Sequence, residues 1–169
     1  FLTLWNVHKF HLDYAILDNF DYSKDFIPVS KRSALDRWIL SRVSSVAENY
    51  HGQYLTWEFH KAARELENFV INDLSNWYVR RSRRRLWDEA ESHDKRACQF
   101  TLHEILLTVS KLMAPIAPFM PDKIHFDLTG TSVHTADWPL GSDLVDKNPY
   151  TFWLTADMIA IFSISLRSL

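Results

Sequence analysis

An all-α, antiparallel helix bundle is the fold this chain predicts, on three observations. Glycine is scarce, three residues in 169, so there is little material for tight strand turns and none for a glycine-rich phosphate loop. Apolar residues recur three and four apart over long stretches, the period of a helix with one buried face. The helix breakers fall between those stretches, most clearly Pro115, Pro118 and Pro121. The length suits one domain, and seven Trp, eleven Phe and six Tyr supply bulk for its core.

Taken in order, residues 1–17 are apolar nearly all round and hold no Pro or Gly, which predicts a largely buried first helix. Asp, Asn, Ser and Pro28 make residues 18–33 a loop. Ser33 is placed to cap a second helix running to about Tyr50, with Asp36 in its first turn. Its stripe is Leu35, Trp38, Ile39, Val43, Val46 and Tyr50, and Arg42 falls in the middle of it. A link at Gly52 leads to Thr56, the expected cap of the longest helix, over about residues 57–87. There Phe59, Ala62, Ala63, Leu66, Phe69, Val70 and Trp77 share a face, and the helix-poor run 72–76 predicts a bend. Asp94 is the expected cap of a fourth helix ending near Met113, with Cys98, Leu102, Ile105, Leu106 and Val109 inward. After the prolines a short helix is expected over about residues 122–128, ending at Gly130. Residues 131–150 read as irregular, anchored by Val133 and Trp138, and a last helix is expected over about residues 151–167.

The formal net charge of -2 excludes a chain coated in basic residues, though not a local basic patch. The single cysteine, Cys98, makes no intramolecular disulfide and is read as packing. A reducing compartment, the cytoplasm, is the expectation. His8 and His11 sit at i and i+3 with no third ligand at motif spacing, so no metal site is expected. No catalytic residue is expected either, because no paired carboxylates or Ser/His constellation is present at recognisable spacing. The apolar stretch 150–166 is too short to span a bilayer and is interrupted by Asp157, so no membrane partner is expected. No charged-then-apolar leader opens the chain, and Phe1 reads as a start within a longer protein.

The strongest functional signal lies between Trp77 and Trp87. Arg80, Arg81, Arg83, Arg84 and Arg85 stand within six positions, beside Tyr78 and bracketed by the two tryptophans. On a straight helix Arg80, Arg81 and Arg84 would continue the apolar face of Leu66, Phe69 and Trp77, which suggests a helix that lines a groove. Arginine supplies phosphate pairing, bidentate contacts to base edges and a flat surface that stacks. Neighbouring aromatic rings suit unpaired bases, the usual target of sequence-specific RNA recognition. The bland alternative is a solvated helix end whose positive charge suits the helix dipole. Tyr78 and Trp87 lie off the central stripe and are better placed to meet RNA than Trp77, which is more simply core. Arg42 and Asp73 each interrupt an apolar stripe and need partners. A turn at Gly52 would set Arg42 level with about residue 65, so separate partners are expected, with Asp73 on an arginine of its own helix.

The stretch from Phe69 to Arg85, Phe-Val-Ile-Asn-Asp-Leu-Ser-Asn-Trp-Tyr-Val-Arg-Arg-Ser-Arg-Arg-Arg, resembles the signature of isoleucyl-tRNA synthetases. Four other pieces agree in order: Thr3-Leu4-Trp5-Asn6-Val7; Leu35-Asp36-Arg37-Trp38-Ile39-Leu40-Ser41-Arg42; Leu112-Met113-Ala114-Pro115-Ile116-Ala117-Pro118-Phe119; and Ser132-Val133-His134 through Asp137-Trp138-Pro139. A departure follows Phe119, where Met-Pro-Asp-Lys-Ile-His stands in place of the family's Glu-Glu-Ile. The resemblance implies a helix bundle of the class I synthetase anticodon-binding type over residues 1–139, followed by a linker and C-terminal helix over 140–169 that stops short of a further region. It implies binding to the anticodon stem-loop of isoleucine tRNA through Arg80, Arg81, Arg83, Arg84, Arg85, Tyr78, Trp77 and Trp87. For the parent isoleucine–tRNA ligase it implies ATP, and zinc in a C-terminal region. The His-x-Gly-His and Lys-Met-Ser-Lys-Ser motifs that bind nucleotide in that family do not occur here, so these residues hold no catalytic centre and no cofactor. The rival readings are the equivalent domain of a valyl or leucyl relative, and a helical scaffold whose arginines meet acidic proteins.

Overall fold

The computed structural model describes residues 1–22, 27–87 and 92–139, and every regular element among them is helical. The expected helix over residues 151–167 lies outside the described residues. Helix α1 (Leu2–Leu17) buries a single stripe, Leu4, Val7, His8 and His11. Its ends are open, with Leu2 and Leu17 both more than 70% exposed, so the expectation of a largely buried helix is corrected. His8 Nε2 meets Asp127 Oδ2 at 3.1 Å and ties α1 to the far end of the chain. After a short 3-10 turn (Val29–Lys31), α2 (Ala34–Leu55) starts at Ser33 as expected. Ser33 Oγ accepts from the Asp36 N–H while the Asp36 carboxylate accepts from the Ser33 N–H, a reciprocal capping box.

Helix α2 runs through Gly52 rather than ending near Tyr50. Thr56 closes α2 instead of opening the next helix, and the turn is made at Trp57, which takes a left-handed φ of 63°. The turn therefore comes later than expected, and the register between the two helices moves with it. A continuous rod follows: α3 (Phe59–Asn68), a π-helical segment (Phe69–Val79) and α4 (Arg80–Trp87). Around residues 72–76 the backbone widens into π turns. The reason is visible in the buried stripe Leu66, Val70, Leu74, Tyr78, Ser82 and Leu86, which steps by four. In an α-helix each such step over-rotates by about 40°, and the stripe would leave the core within a few turns. The wider π turns absorb that excess and keep one face inward.

Helix α5 (His93–Met113) is the central element and touches α1, α2, α3, α4 and α6. Ser92 caps it by accepting from the Lys95 N–H, while Asp94, the expected cap, sits in the first turn. Being buried on most sides, α5 must satisfy its polar groups internally. Arg32, 2% exposed, bonds Glu104 at 2.5 and 3.3 Å as well as Thr101 and the Ile27 carbonyl. Lys95 and Gln99 both reach Asp18. Helix α6 (Phe119–Thr129) begins one turn before the expected residue, because Pro121 lies in its first turn where no N–H is required. It ends at Gly130 in the left-handed region, φ 74°. Asp122 then accepts from Ser132 Oγ and the Val133 N–H, fastening a 3-10 turn (Val133–Thr135). Val133 is buried, and Trp138 packs on Tyr50 with ring centroids 5.7 Å apart; both act as the expected anchors.

The two described glycines respond differently to a side chain. At Gly52 an added Cβ meets nothing within 4 Å, whereas at Gly130 the positive φ penalises any Cβ. Gly52→Ala should therefore stabilise by about 0.5–1 kcal/mol, raising Tm by about 1–4 °C. Gly130→Ala should cost roughly 1–2 kcal/mol. Thermal denaturation of both variants checks the pair of signs.

Candidate nucleic-acid interface

The basic run sits on the last turns of the rod, and its orientation is set from inside. Ser82 and Leu86 are buried, so residues on the opposite side face solvent. Arg80, Arg81, Arg83 and Arg84 are exposed, and no carboxylate among the described residues pairs with them. Trp87 is 57% exposed and Trp77 45%. The Arg81 guanidinium lies over the Trp77 ring, 3.7 Å from its centroid. This brings together six of the eight candidates: the four arginines and both tryptophans.

The other two turn inward. Tyr78 is fully buried, so the expectation that its ring offers a surface to RNA is corrected. Its position on the four-residue stripe, not visible from a 3.6-residue projection, carries it into the core. Tyr78 Oη donates to Asp36 Oδ1 at 2.6 Å and contacts Cys98 Sγ at 3.6 Å. Arg85 grips Asp36 with both terminal nitrogens, at 2.8 and 2.7 Å, and Asp94 with Nε at 2.6 Å and Nη2 at 2.8 Å. With its guanidinium committed to two carboxylates, Arg85 is a structural fastener and leaves the RNA-facing set. The same rotation moves Trp77 outward, so it does not share the core face of Leu66 and Phe69 as expected.

The titration shifts follow from this packing. Burial pushes the Asp36 carboxyl up, but hydrogen bonds from Arg85 and Tyr78 outweigh it and hold the group below its ordinary value. Burial raises the Tyr78 phenol well above its ordinary value, reinforced by Asp36 and Cys98. Burial also lifts the Cys98 thiol to about 11, so it is a packing group and no nucleophile at neutral pH. Among the described residues, no group of three or more His, Cys, Asp or Glu is placed to hold a metal ion.

Arg42 and Asp73 pair directly, Nε at 3.1 Å and Nη2 at 2.9 Å from Oδ2. This corrects the expectation of separate partners; the later turn at Trp57 sets residue 42 level with residue 73. One turn along, Trp38 of α2 lies beside Trp77 with centroids 6.4 Å apart. Trp38 is 37% exposed, although its place in the α2 stripe reads as core. The available signal was Arg42, four residues later on the same edge of that stripe.

Asp36 supplies the first test of this arrangement. Its folded-state pKa is depressed, so its contribution is present above the unfolded carboxylate pKa of about 3.9 and is lost as pH falls through the lower folded value. Asp36→Ala should cost about 3–5 kcal/mol at neutral pH, the penalty for stranding one partner of a buried pair. It should also flatten the fall in stability below about pH 4. Urea denaturation across pH 2.5–7 measures both.

Comparison with known proteins agrees with this geometry. Residues 36–164 match the family described as the anticodon-binding domain of tRNA ligase. The chain is 44% identical over 146 residues to the isoleucine–tRNA ligase of Cytophaga hutchinsonii, an alignment covering 82% of this chain and 13% of that protein. It is 46% identical over 141 residues to that of Porphyromonas gingivalis, covering 82% and 12%. It is 40% identical over 162 residues to isoleucine–tRNA ligase 2 of Bacillus thuringiensis, covering 96% and 15%. The chain thus spans about one seventh of the length of the relatives it matches. The all-helical bundle, the outward arginine run and these matches agree: the chain belongs to the anticodon-binding domain family of tRNA ligases, in the branch similar to isoleucine–tRNA ligases.

Proposed function

We propose that this domain binds the anticodon stem-loop of isoleucine tRNA through the surface formed by Arg80, Arg81, Arg83, Arg84, Trp77 and Trp87. In the parent ligase, which joins isoleucine to tRNA using ATP, that contact selects the tRNA and aligns its acceptor end with a distant catalytic centre. The observation that carries the reading is the set of four exposed arginines that no described carboxylate neutralises, flanked by two exposed tryptophans. Like charges crowded on one helix cost stability, and a polyanion partner relieves that cost. Residues 1–139 are taken as the binding domain and 140–169 as a linker and C-terminal helix. The parent's ATP site is assigned to other parts of that protein, since the His-x-Gly-His and Lys-Met-Ser-Lys-Ser motifs do not occur in this sequence, and any zinc is assigned to a C-terminal region. Among the described residues no helix is long and apolar enough to cross a membrane, and a cytoplasmic location follows from the proposed role.

The test is binding of isoleucine tRNA by the full-length enzyme across a salt series. Each phosphate contact contributes about 0.9 to the slope of log affinity against log salt, or about 0.7 on single strands. Arg80→Ala, Arg81→Ala and Arg84→Ala together should therefore reduce the slope by roughly 2–3. The loss should be larger for isoleucine tRNA than for a tRNA with another anticodon. Unchanged affinity and slope in the triple variant would mean the run is a solvated helix end. Tighter binding to an acidic protein than to tRNA would favour the interaction-scaffold reading.

A further inference from the structure

On the reading just proposed, the surface has a second wall. Helix α2 and the rod run antiparallel with residue 42 level with 73 and residue 38 level with 77. The Arg42–Asp73 pair therefore bridges the two helices one turn from the point where the two tryptophans lie side by side. Their rings tilt at 60° with centroids 6.4 Å apart, so they meet at an angle and do not stack face to face. Arg81, one turn beyond Trp77, covers one face of that ring at 3.7 Å and is itself exposed. Asp73, one turn before Trp77 on the rod, has its carboxylate held by Arg42. Among the described residues, an approaching phosphate thus meets arginine without meeting an unpaired carboxylate of the rod.

We propose that Trp38, Trp77 and Arg81 form a seat for one unpaired nucleotide of an RNA loop. The base stacks on the outer face of the Arg81 guanidinium and is flanked by the Trp38 ring, while Arg84, one turn on, takes the phosphate. Arginine stacked on tryptophan keeps its plane available to a second π system. The occupant is unpaired because a duplex buries its base faces in its own stack, while loop bases can be splayed out onto side chains. Two half-exposed tryptophan rings beside arginines that no described carboxylate pairs with suit a ligand that is both flat and anionic. Trp38 belongs to α2, so the recognition surface spans two helices and depends on the register that Trp57 sets.

The experiment uses the full-length enzyme with a labelled hairpin carrying the isoleucine anticodon loop, and with a continuous duplex of the same stem. Trp38→Leu keeps an apolar group in the packing but removes the aromatic face; Trp38→Phe keeps a face. Trp38→Leu should weaken hairpin binding by about 5- to 150-fold, which corresponds to the roughly 1–3 kcal/mol of one stacked base. It should leave duplex binding and the salt slope unchanged, and Trp38→Phe should recover most of the loss. Equal losses on hairpin and duplex, or no loss on the hairpin, overturn the seat. If the Arg80, Arg81 and Arg84 substitutions weaken tRNA binding while Trp38→Leu does not, the seat alone fails. If the wild-type enzyme shows no preference for the hairpin over the duplex, the anticodon reading fails and the seat with it.

Discussion

Asp36 has no exposure to water, and a carboxylate that has lost its hydration must recover it from neighbouring donors. It does so through five donors on three residues: Arg85 with two nitrogens, Tyr78 with its phenol, and Ser33 with both N–H and hydroxyl. These partners come from the start of α2, the end of the π segment and α4, so one buried charge holds three points of the fold together. Arg85 carries the connection on to Asp94 and the first turn of α5. The whole arrangement fixes how far α4 is rolled about its own axis. With Arg85 drawn in and Ser82 and Leu86 packed, the other four arginines of the run have nowhere to go but out. A structural ion pair therefore decides which charges are displayed.

The π segment makes the same point at the level of backbone. Had the rod been a uniform α-helix, the four-residue stripe from Leu66 to Leu86 would have wound around it, and Trp77 would have shared a side with the core. The wider turns let Val70, Leu74 and Tyr78 stay inward and rotate Trp77 into the open. The π segment and the Asp36 cluster act on the same roll angle, one through hydrogen-bond geometry along the rod and one through a side-chain anchor at its end.

Helices with strong local signals were legible in the sequence: Ser33 with Asp36 three residues later announces α2, and Gly130 announces the end of α6. What failed depended on partners far away in sequence. Trp57 sits at a left-handed φ that local preference assigns to glycine or asparagine, so local signals alone put the α2–α3 turn too early and hide the Arg42–Asp73 pair. Arg85 and Arg84 are neighbours in a uniform basic run, and nothing local separates the one held by two carboxylates from the one left free. Tyr78 could have been separated, since it lies four residues from Leu74 and Ser82, but only by abandoning the α-helical period. Trp38 reads as core because its stripe is apolar; its exposure follows from the neighbouring rod, which covers only part of it.

A net charge of -2 still leaves a local excess of arginine among the described residues of the rod, and the pairing pattern explains how. Around the rod's second half, Arg42, Arg80, Arg81, Arg83, Arg84 and Arg85 face three described carboxylates, Asp36, Asp73 and Asp94. Each of those acids is already held by Arg42 or Arg85, which are the arginines with structural work. Among the described residues the acids thus neutralise the basic residues that hold the fold together, and the unpaired positive charge is concentrated on arginines held by no carboxylate. Such a division lets a chain of near-neutral composition present a local field that attracts a polyanion, because at physiological salt only charges within about 8 Å of a ligand are felt strongly. Specificity then has to come from groups that read more than charge. The exposed tryptophans beside the run, Trp38, Trp77 and Trp87, are the ones placed to supply it.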